Sequence, residues 1–350
     1  MTELRHLDAE IAARTAALPP GAEPRGRLRR APPHLRPLPL RIGTRASPLA
    51  LWQARHFMAI VSGFCPVLRE GGVFEEHALA TSGDRIQDRR LAEIGGKGLF
   101  AKEIHEALLD GRVDLAVHSL KDLETELPPG IVLACALKRE DARDALILGP
   151  NCAVPDPEDP WSAIPRGAVV GTASLRRQGQ LLHARPDLRV EMLRGNVQTR
   201  LSRVRGGEVA ASLLALAGLR RLGLEGEAAV VLDPEVMVPA AGQGIVAVTA
   251  RAEDAELRAL LAAIEDPEAL AVATAERALL AALDGSCRTP VGGHARLLPG
   301  GRLRLAGLVA RPDGSFLQRR MAEGPAADAA AIGRALGEAL RRDSPADILA

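Results

Sequence analysis

The chain has 350 residues, and its 45 Lys and Arg residues nearly balance its 44 Asp and Glu residues, so the formal net charge is +1. Aromatic residues make up only 2% and Tyr is absent, which argues against base-stacking surfaces for single-stranded nucleic acid. The cysteines are far apart, without a CxxC pair or a zinc-type His spacing, so we expect neither a disulfide framework nor a metal site. Because no long apolar stretch or secretory signal is present, we expect a cytoplasmic protein without a membrane segment.

The first half of the chain predicts an α/β fold. Residues 1–37 are rich in Ala, Arg and Pro and are predicted to form a disordered extension. From Leu38 onward, short apolar runs alternate with amphipathic stretches, which is typical of strands and helices in alternation. This pattern predicts strands at 38–43, 74–81 and 113–119, and helices at 48–62 and 99–109. Ser47 is a suitable N-cap for the first helix, with Pro48 in its first turn.

The second half repeats this unit and then changes character. Strands are predicted at 168–171, 188–193 and 209–216, with helices opening at Ser174 and Asn196. A Pro-rich stretch at 155–165 is predicted to be a surface loop. A smaller α+β domain is then predicted from a helix at 267–283, a hairpin at 294–311 and a helix at 325–342.

Two predicted helix starts each carry a pair of arginines. GTASLRR contains Arg176 and Arg177, and RGNVQTR contains Arg194 and Arg200. A helix N-terminus offers free N–H groups and a positive dipole end, and a guanidinium adds a two-pronged donor. The pattern therefore favours a small polyanionic ligand over a long nucleic acid, because the positive charge is concentrated in one region. Solvated arginines or salt-bridge partners are the alternative interpretation.

Polar residues at the ends of two predicted strands are further candidates. Arg45 and Ser47 follow the first strand, where open α/β sheets usually bind ligands, although an N-cap beside a surface arginine would look the same. Lys121 and Asp122 follow the apolar strand AVHS. A carboxylate beside a lysine can stay charged, bind a developing cation and transfer a proton, although solvated turn residues are the simpler interpretation.

Two glycine-containing segments carry one reactive group each. GGKGLF contains Lys97, but Gly98 stands where a phosphate-binding loop needs Ser or Thr, so a mobile glycine loop carrying a cation is the better interpretation. DGSCRTP places Cys287 in a tight loop beside Arg288. A loop cysteine next to a cation is either a nucleophile or attachment point, or an inert thiol.

Taken together, these segments resemble the porphobilinogen deaminase (hydroxymethylbilane synthase) family. The matching motifs run in order from about residue 38 to the C-terminus: RIGTRASPLALWQA (41–54), GGKGLFAKEI (95–104), AVHSLKD (116–122), VGTASLRRQGQL (170–181), LRGNVQTRL (193–201), LALAGLRRLGL (214–224), PAAGQG (239–244) and DGSCRTPVG.

The resemblance implies a three-domain enzyme that joins four porphobilinogen molecules head to tail, with loss of ammonia, to give hydroxymethylbilane. It implies a dipyrromethane cofactor, made from two porphobilinogens and thioether-linked to Cys287. It also implies a monomer whose product passes to uroporphyrinogen-III synthase, with no nucleic acid partner. The expected fold is two periplasmic-binding-protein-like α/β lobes, 38–139 with 243–263 and 140–238, followed by a smaller α+β domain at 267–350.

The family's site residues carry over to matching positions of this chain. Asp122 corresponds to the catalytic aspartate, which would contact pyrrole N–H groups and stabilise the cationic azafulvene left when ammonia departs. The cofactor would be held by Cys287, Asp122, Lys121, Ser174, Arg176 and Arg177. The substrate would be bound by Arg45, Ser47, Lys97, Phe100, Arg194, Arg200, Arg221 and Gln243, and no metal is expected.

The chain departs from the family pattern at several positions, of which Glu124 stands out. Pro usually follows the Lys-Asp pair, so Glu124 frees the backbone beside Asp122 and adds a negative charge. The other departures are Glu93, Ala173, Ala210 and Thr249. A non-catalytic anion-binding protein of the two-lobed solute-receptor type is the alternative function, and a transcription regulator with such a ligand domain is a third.

Overall fold

The fold is described by a computed structural model for residues 37–86, 98–156, 158–285 and 289–349. Strands within these ranges form three sheets. In chain order they are β1 (Leu40–Arg45), β2 (Phe74–Leu79), β3 (Leu115–Ser119), β4 (Ile131–Ala136), β5 (Asp144–Leu148), β6 (Val169–Gly171), β7 (Arg189–Glu191), β8 (Ala211–Ala215), β9 (Val230–Val231), β10 (Val246–Arg251), β11 (Val291–Leu298), β12 (Arg302–Ala310) and β13 (Leu317–Pro325).

Helices connect most of these strands. The α-helices of the described ranges are α1 (Pro48–Phe64), α2 (Ser82–Arg85), α3 (Lys102–Leu109), α4 (Leu175–Ala184), α5 (Val197–Arg205), α6 (Leu216–Arg221), α7 (Ala255–Ala263), α8 (Pro267–Ala282) and α9 (Ala329–Asp343). Short 3₁₀ turns lie at Pro66–Arg69, Leu120–Asp122, Glu225–Glu227, Ala326–Asp328 and Ala346–Ile348. No helix among the described residues combines the length and apolar content needed to cross a membrane.

The first two sheets share one topology. Lobe 1 has the strand order β2-β1-β3-β10-β4, and lobe 2 has the order β7-β6-β8-β5-β9. In each lobe three neighbouring strands are parallel, and the fourth, β10 or β5, runs antiparallel to its neighbours. The chain passes from lobe 1 to lobe 2 between β4 and β5, and it returns to lobe 1 at β10. The antiparallel strand of each lobe, β5 or β10, is therefore the first strand after the chain enters that lobe. The carboxyl ends of the parallel strands therefore meet at the boundary between the lobes.

The helices that start at this boundary are capped by side chains. Ser47 accepts a hydrogen bond from Ala50 N at the start of α1, and Asn196 accepts one from Thr199 N at the start of α5. Ser174 caps α4 by accepting from Arg177 N. Each cap pairs one of the N–H groups that a helix start leaves without an intrahelical partner. Because these helices start at the boundary, their remaining N–H groups and positive dipole ends point towards the space between the lobes.

The third domain consists of the antiparallel sheet β11-β12-β13 covered by α8 and α9. Its apolar core also contains Leu120, Ile245 and Ala247 of lobe 1, so the third domain packs directly against the lobe 1 sheet. The two helices cross closely at Gly333, where an added Cβ would lie 2.2 Å from Ala275 O. Glycine at this position allows the two helix backbones to approach.

These observations confirm the predicted fold class of two α/β lobes and a smaller α+β domain. Ser47, the predicted N-cap, and Ser174 and Asn196, the predicted helix starts, all cap their helices. The strands β4, β5, β9, β10 and β13 were not predicted. The predicted disordered extension lies outside the described residues except for Pro37, and the exact domain boundaries stay a prediction.

Candidate functional site

A cavity of about 540 Å³ lies between the two lobes and reaches the third domain. Lobe 1 contributes the ends of β1 and β3, and lobe 2 contributes the starts of α4 and α5. Predicted site residues that line the cavity are Arg45, Ser47, Phe100, Lys121, Asp122, Ser174, Arg176, Arg177, Arg194, Arg200 and Gln243. The fold therefore brings together side chains that are far apart in the sequence.

Arg45 lies between two carboxylates at one end of the cavity. Its Nη1 donates to Asp122 Oδ2 at 3.2 Å, while Nη2 and Nε donate to Asp84 Oδ1 at 2.5 Å and Oδ2 at 3.2 Å. The Arg45 Cζ also lies 4.4 Å from the centre of the Phe100 ring, a distance suited to a cation–π contact. Burial acts to raise the pKa of Asp84, but the hydrogen bond and charge of Arg45 together with the hydrogen bonds from Thr81 outweigh it, so the pKa of Asp84 is lowered.

Asp122 lies in the 3₁₀ turn that follows β3. Its side chain is 26% exposed, and its Oδ2 accepts from Arg45. Among the described residues, no side chain or backbone N–H donates to Oδ1 of Asp122. One oxygen is therefore held by a cation, and the other is available to a donor in the cavity.

Lys121 lies beside the two chain crossings between the lobes, 137–143 and 232–245, which are called the hinge below. Its Nζ donates to Gln243 Oε1 at 3.2 Å, and Gln243 Nε2 donates to Asp144 Oδ1 at 3.0 Å. Burial, together with the charge of Arg177, lowers the pKa of Lys121 to about 8. Lys121 is therefore mostly protonated at neutral pH and loses its charge in a mildly alkaline solution.

Arg176 and Arg177 are both paired with one buried carboxylate. Arg177 Nη2 donates to Asp144 Oδ1 at 2.7 Å, and Arg176 Nη2 lies 2.8 Å from Asp144 Oδ2. Other N–H groups donate to backbone, Arg176 to Val238 O and Arg177 to Leu213 O. Burial acts to raise the pKa of Asp144, but the two guanidinium groups outweigh it and hold the pKa well below its usual range. The sequence favoured ligand contacts for these arginines and left salt-bridge partners as the alternative, and the structure gives both arginines a salt-bridge partner in Asp144.

Arg200 has no such partner. Its Nε donates to Gly195 O at 2.9 Å, and no carboxylate of the described residues lies within salt-bridge distance of its guanidinium. Burial lowers the pKa of Arg200 to about 10, and the charges of Arg177 and Arg194 act in the same direction. Arg194 connects the lobes by donating from Nη2 to Gly83 O at 2.9 Å. Arg200 therefore presents a positive charge to the cavity that no carboxylate of the described residues balances.

His118 lines the cavity floor at the end of β3. Its Nε2 lies 3.0 Å from Thr249 Oγ1, and its ring is 5.7 Å from that of His105. Burial lowers the pKa of His118 to about 3, and the neighbouring His105 and Arg45 act in the same direction. His118 is therefore neutral at physiological pH and is excluded as a cationic contact.

Three predicted site residues do not join this group in the described structure. Arg221 does not line the cavity: its Nη2 donates to Gly244 O at 2.6 Å, and its Cζ lies 5.7 Å from the Trp52 ring centre. Lys97 and Cys287 lie outside the described residues. Thr289, two positions after Cys287, lines the cavity.

The sequence analysis missed two acidic residues of the site. Asp84 completes a capping box with Thr81 at the start of α2, and the spacing of TSGD is a signal that could have drawn attention to it. Asp144 begins the apolar strand β5 and becomes fully buried against arginines distant in the sequence. No local pattern predicts that pairing.

Comparisons with known proteins match most of the chain to one family. Residues 40–259 match the family model described as "Porphobilinogen deaminase, dipyromethane cofactor binding domain", and residues 270–342 match "Porphobilinogen deaminase, C-terminal domain". The porphobilinogen deaminase of Paracoccus denitrificans is 48% identical over 312 residues, which cover 88% of this chain and 96% of that protein. That of Nitrobacter winogradskyi is 48% identical over 300 residues, which cover 86% and 92%.

Solved structures that the chain matches include the periplasmic VFT2 domain of BvgS from Bordetella pertussis. It is 14% identical, with a TM-score of 0.36, over 64% of this chain and 86% of that domain. A YaeC-family lipoprotein from Enterococcus faecalis is 11% identical, with a TM-score of 0.37, over 65% of this chain and 91% of that protein.

Proposed function

We propose, from the premise that this chain belongs to the porphobilinogen deaminase family, that its cavity is the site where porphobilinogen units are joined. The chain is a hydroxymethylbilane synthase of tetrapyrrole biosynthesis. The observation that carries the assignment of the site is the pairing of Asp122 with Arg45 inside a cavity otherwise rich in cationic groups.

The cavity fits the dipyrromethane cofactor of the family. Two pyrrole rings with an acetate and a propionate each need several cationic donors, and Lys121 and Arg200 supply charges that no described carboxylate pairs with directly. The capped helix starts at Ser174 and Asn196 add N–H groups of positive potential. Because Thr289 lines the cavity, we propose that Cys287, two positions earlier, is the attachment point. When bound, the cofactor supplies the pyrrole carbon to which the first substrate is joined.

The carboxylate groups of cofactor and substrate would be shared among the cationic side chains. Charge-assisted hydrogen bonds contribute roughly 1.5 to 3 kcal/mol each, so a few such contacts suffice to hold a chain without aromatic stacking. We propose that Arg176 and Arg177, with Lys121, Ser174 and Asp122, face the cofactor. Arg194 and Arg200 of lobe 2 and Arg45 and Ser47 of lobe 1 would face the substrate, with Phe100 and Gln243 beside them.

Asp122 is suited to the chemical step. Loss of ammonia from a porphobilinogen leaves a cation whose charge is shared with the pyrrole N–H, and a carboxylate aimed at that N–H stabilises it. We propose that Asp122 Oδ1 accepts this hydrogen bond while Arg45 holds Oδ2. After the new carbon–carbon bond forms, the same carboxylate can take the proton released at the joined ring carbon.

Further proposals concern residues and partners beyond the cavity lining. We propose that Lys97 and Arg221 contact substrate carboxylates in another arrangement of the lobes, since Arg221 lies beside the hinge at Gly244. We also propose a cytoplasmic monomer that passes its product to uroporphyrinogen-III synthase, as the family resemblance implies. Sedimentation of the purified protein with and without that enzyme would test both the monomer and the contact.

The first experiment is intact mass measurement followed by peptide mapping. We expect the peptide that contains Cys287 to carry the mass of two porphobilinogens less two ammonias. In a second arm, Asp122→Asn is compared with Asp110→Asn, which changes a surface carboxylate paired only with Arg112 in the described structure. We expect Asp122→Asn to lower turnover by about 100-fold or more and Asp110→Asn to leave it unchanged. An unmodified Cys287 after incubation with porphobilinogen would refute the attachment point, and normal turnover of Asp122→Asn would refute its role.

A further inference from the structure

The hydrogen bonds of the Arg45 guanidinium are shared unequally between two carboxylates. Asp84 takes two of its hydrogen bonds and Asp122 takes one. Both acidic side chains are partly exposed to the cavity, 29% for Asp84 and 26% for Asp122. The Phe100 ring covers one face of the guanidinium. The orientation of Arg45 is therefore set from three sides, and Asp84 forms the largest number of those contacts.

Asp84 is itself firmly held. Its Oδ2 accepts from Thr81 Oγ1 at 2.7 Å and from Thr81 N at 3.3 Å, which closes the capping box of α2. Gly83 N donates to Leu99 O, and Ser82 N donates to Glu103 Oε1, so the turn is tied to the start of α3 on two sides. The carboxylate that faces Arg45 is consequently part of a rigid turn rather than a mobile surface group.

We propose that Asp84 is a positioning residue that restrains Arg45, so that Arg45 binds one oxygen of Asp122 and leaves the other free to accept a substrate N–H. The inference rests on the catalytic role proposed above for Asp122. Without Asp84, the Arg45 guanidinium could rotate towards Asp122 and form a bidentate salt bridge with both of its carboxylate oxygens. Both oxygens of Asp122 would then be occupied, and the carboxylate would be less able to accept from a pyrrole.

The proposal predicts a separation of kcat from KM. Asp84→Asn keeps the size of the side chain and one acceptor but removes the charge that competes for Arg45. We expect kcat per cofactor-loaded site to fall by about 10- to 100-fold and KM for porphobilinogen to change by less than about threefold. Asp84→Glu keeps the charge and is expected to recover most of kcat. A residue that only supports the fold would instead change the fraction of loaded protein and leave kcat per loaded site unaltered.

Glu76→Gln is the matched control. Glu76 is also a lobe 1 carboxylate paired with an arginine, since Arg55 Nε donates to it at 3.1 Å, but neither residue lines the cavity. If Asp84→Asn behaves like Glu76→Gln while Asp122→Asn is inactive, the inference about Asp84 is overturned and the role of Asp122 stands. If Asp122→Asn itself keeps normal turnover, the proposed function of Asp122 fails instead.

A readout independent of activity is the side-chain NMR signal of Arg45 Nε–Hε. It can be assigned by its absence in Arg45→Lys, and it reports the hydrogen bond from Nε to Asp84 Oδ2 directly. We expect this signal to be sharp in the native protein and in Glu76→Gln, and to shift or broaden in Asp84→Asn. An unchanged signal in a folded Asp84→Asn protein would overturn the proposal.

Discussion

Asp144→Asn should destabilise the protein strongly although it replaces the carboxylate with a group of nearly the same shape. Asp144 is fully buried and lies within 2.8 Å of both Arg176 and Arg177. Removing its charge leaves two adjacent guanidinium groups in an interior that offers no other described carboxylate at that distance. Breaking a buried ion pair in this way typically costs about 3 to 5 kcal/mol.

The measurement is calorimetric unfolding at pH 7, where the native carboxylate is ionised. An unfolding entropy of about 2.1 cal/mol/K per residue gives about 0.7 kcal/mol/K for a chain of 350 residues, so the midpoint should fall by about 4 to 7 °C. Glu208→Gln is the control in the same lobe, because Glu208 pairs with Arg203 on the surface at 2.6 Å. An exposed pair of this kind contributes about 0 to 1 kcal/mol.

The sign of the pH dependence gives a second check on the same carboxylate. The pKa of Asp144 is lowered in the folded protein, so its contribution to stability is present above the unfolded pKa and is lost as pH falls towards the folded pKa. The difference between native protein and Asp144→Asn should therefore shrink in acid below about pH 4. An Asp144→Asn midpoint as high as that of Glu208→Gln at pH 7 would contradict the reasoning.

Three further predictions concern the site and its supports. Because burial and Arg177 lower the pKa of Lys121 to about 8, kcat/KM should fall by up to about tenfold per unit above pH 8, and Lys121→Arg should abolish this alkaline decline. Glu276→Gln should lower the unfolding free energy by about 3 to 5 kcal/mol in urea titrations, because the buried Glu276 binds Arg139 and two backbone N–H groups. Gly83→Ala should reduce kcat, because its Cβ would lie 2.4 Å from the Phe100 ring that covers Arg45, whereas Gly71→Ala meets open space and should not.

Short-range sequence patterns predicted the features of the fold that depend on neighbouring residues, such as the starts of helices. Ser47, Ser174 and Asn196 were predicted as helix starts, Ser47 from its N-cap preference and the other two from the alternation of strands and helices, and each caps its helix in the structure. The antiparallel strands β5 and β10 were not predicted, because their place in the sheets depends on the chain crossing twice between lobes. Apolar runs indicate that a segment is buried, but they do not identify its partner strand.

The same distinction explains the outcome at the site. Family motifs pointed to Arg176, Arg177 and Arg200 together, yet the structure separates them into two arginines paired with Asp144 and one that is not paired with a described carboxylate. That separation depends on where β5 lies relative to α4, which is a long-range feature. Asp84 was missed for a similar reason, because its capping box is local but its contact with Arg45 spans 39 positions.

The distribution of acidic partners also determines how the cavity can respond to a growing product. Asp144 offsets the charge of the arginines deepest in lobe 2, and Glu276 holds Arg139 at the hinge, so these cations stabilise the fold. Lys121 and Arg200 hydrogen-bond only to neutral acceptors among the described residues, and burial makes their charged forms less favourable than in water. A ligand carboxylate relieves that cost, so binding and charge stabilisation reinforce each other.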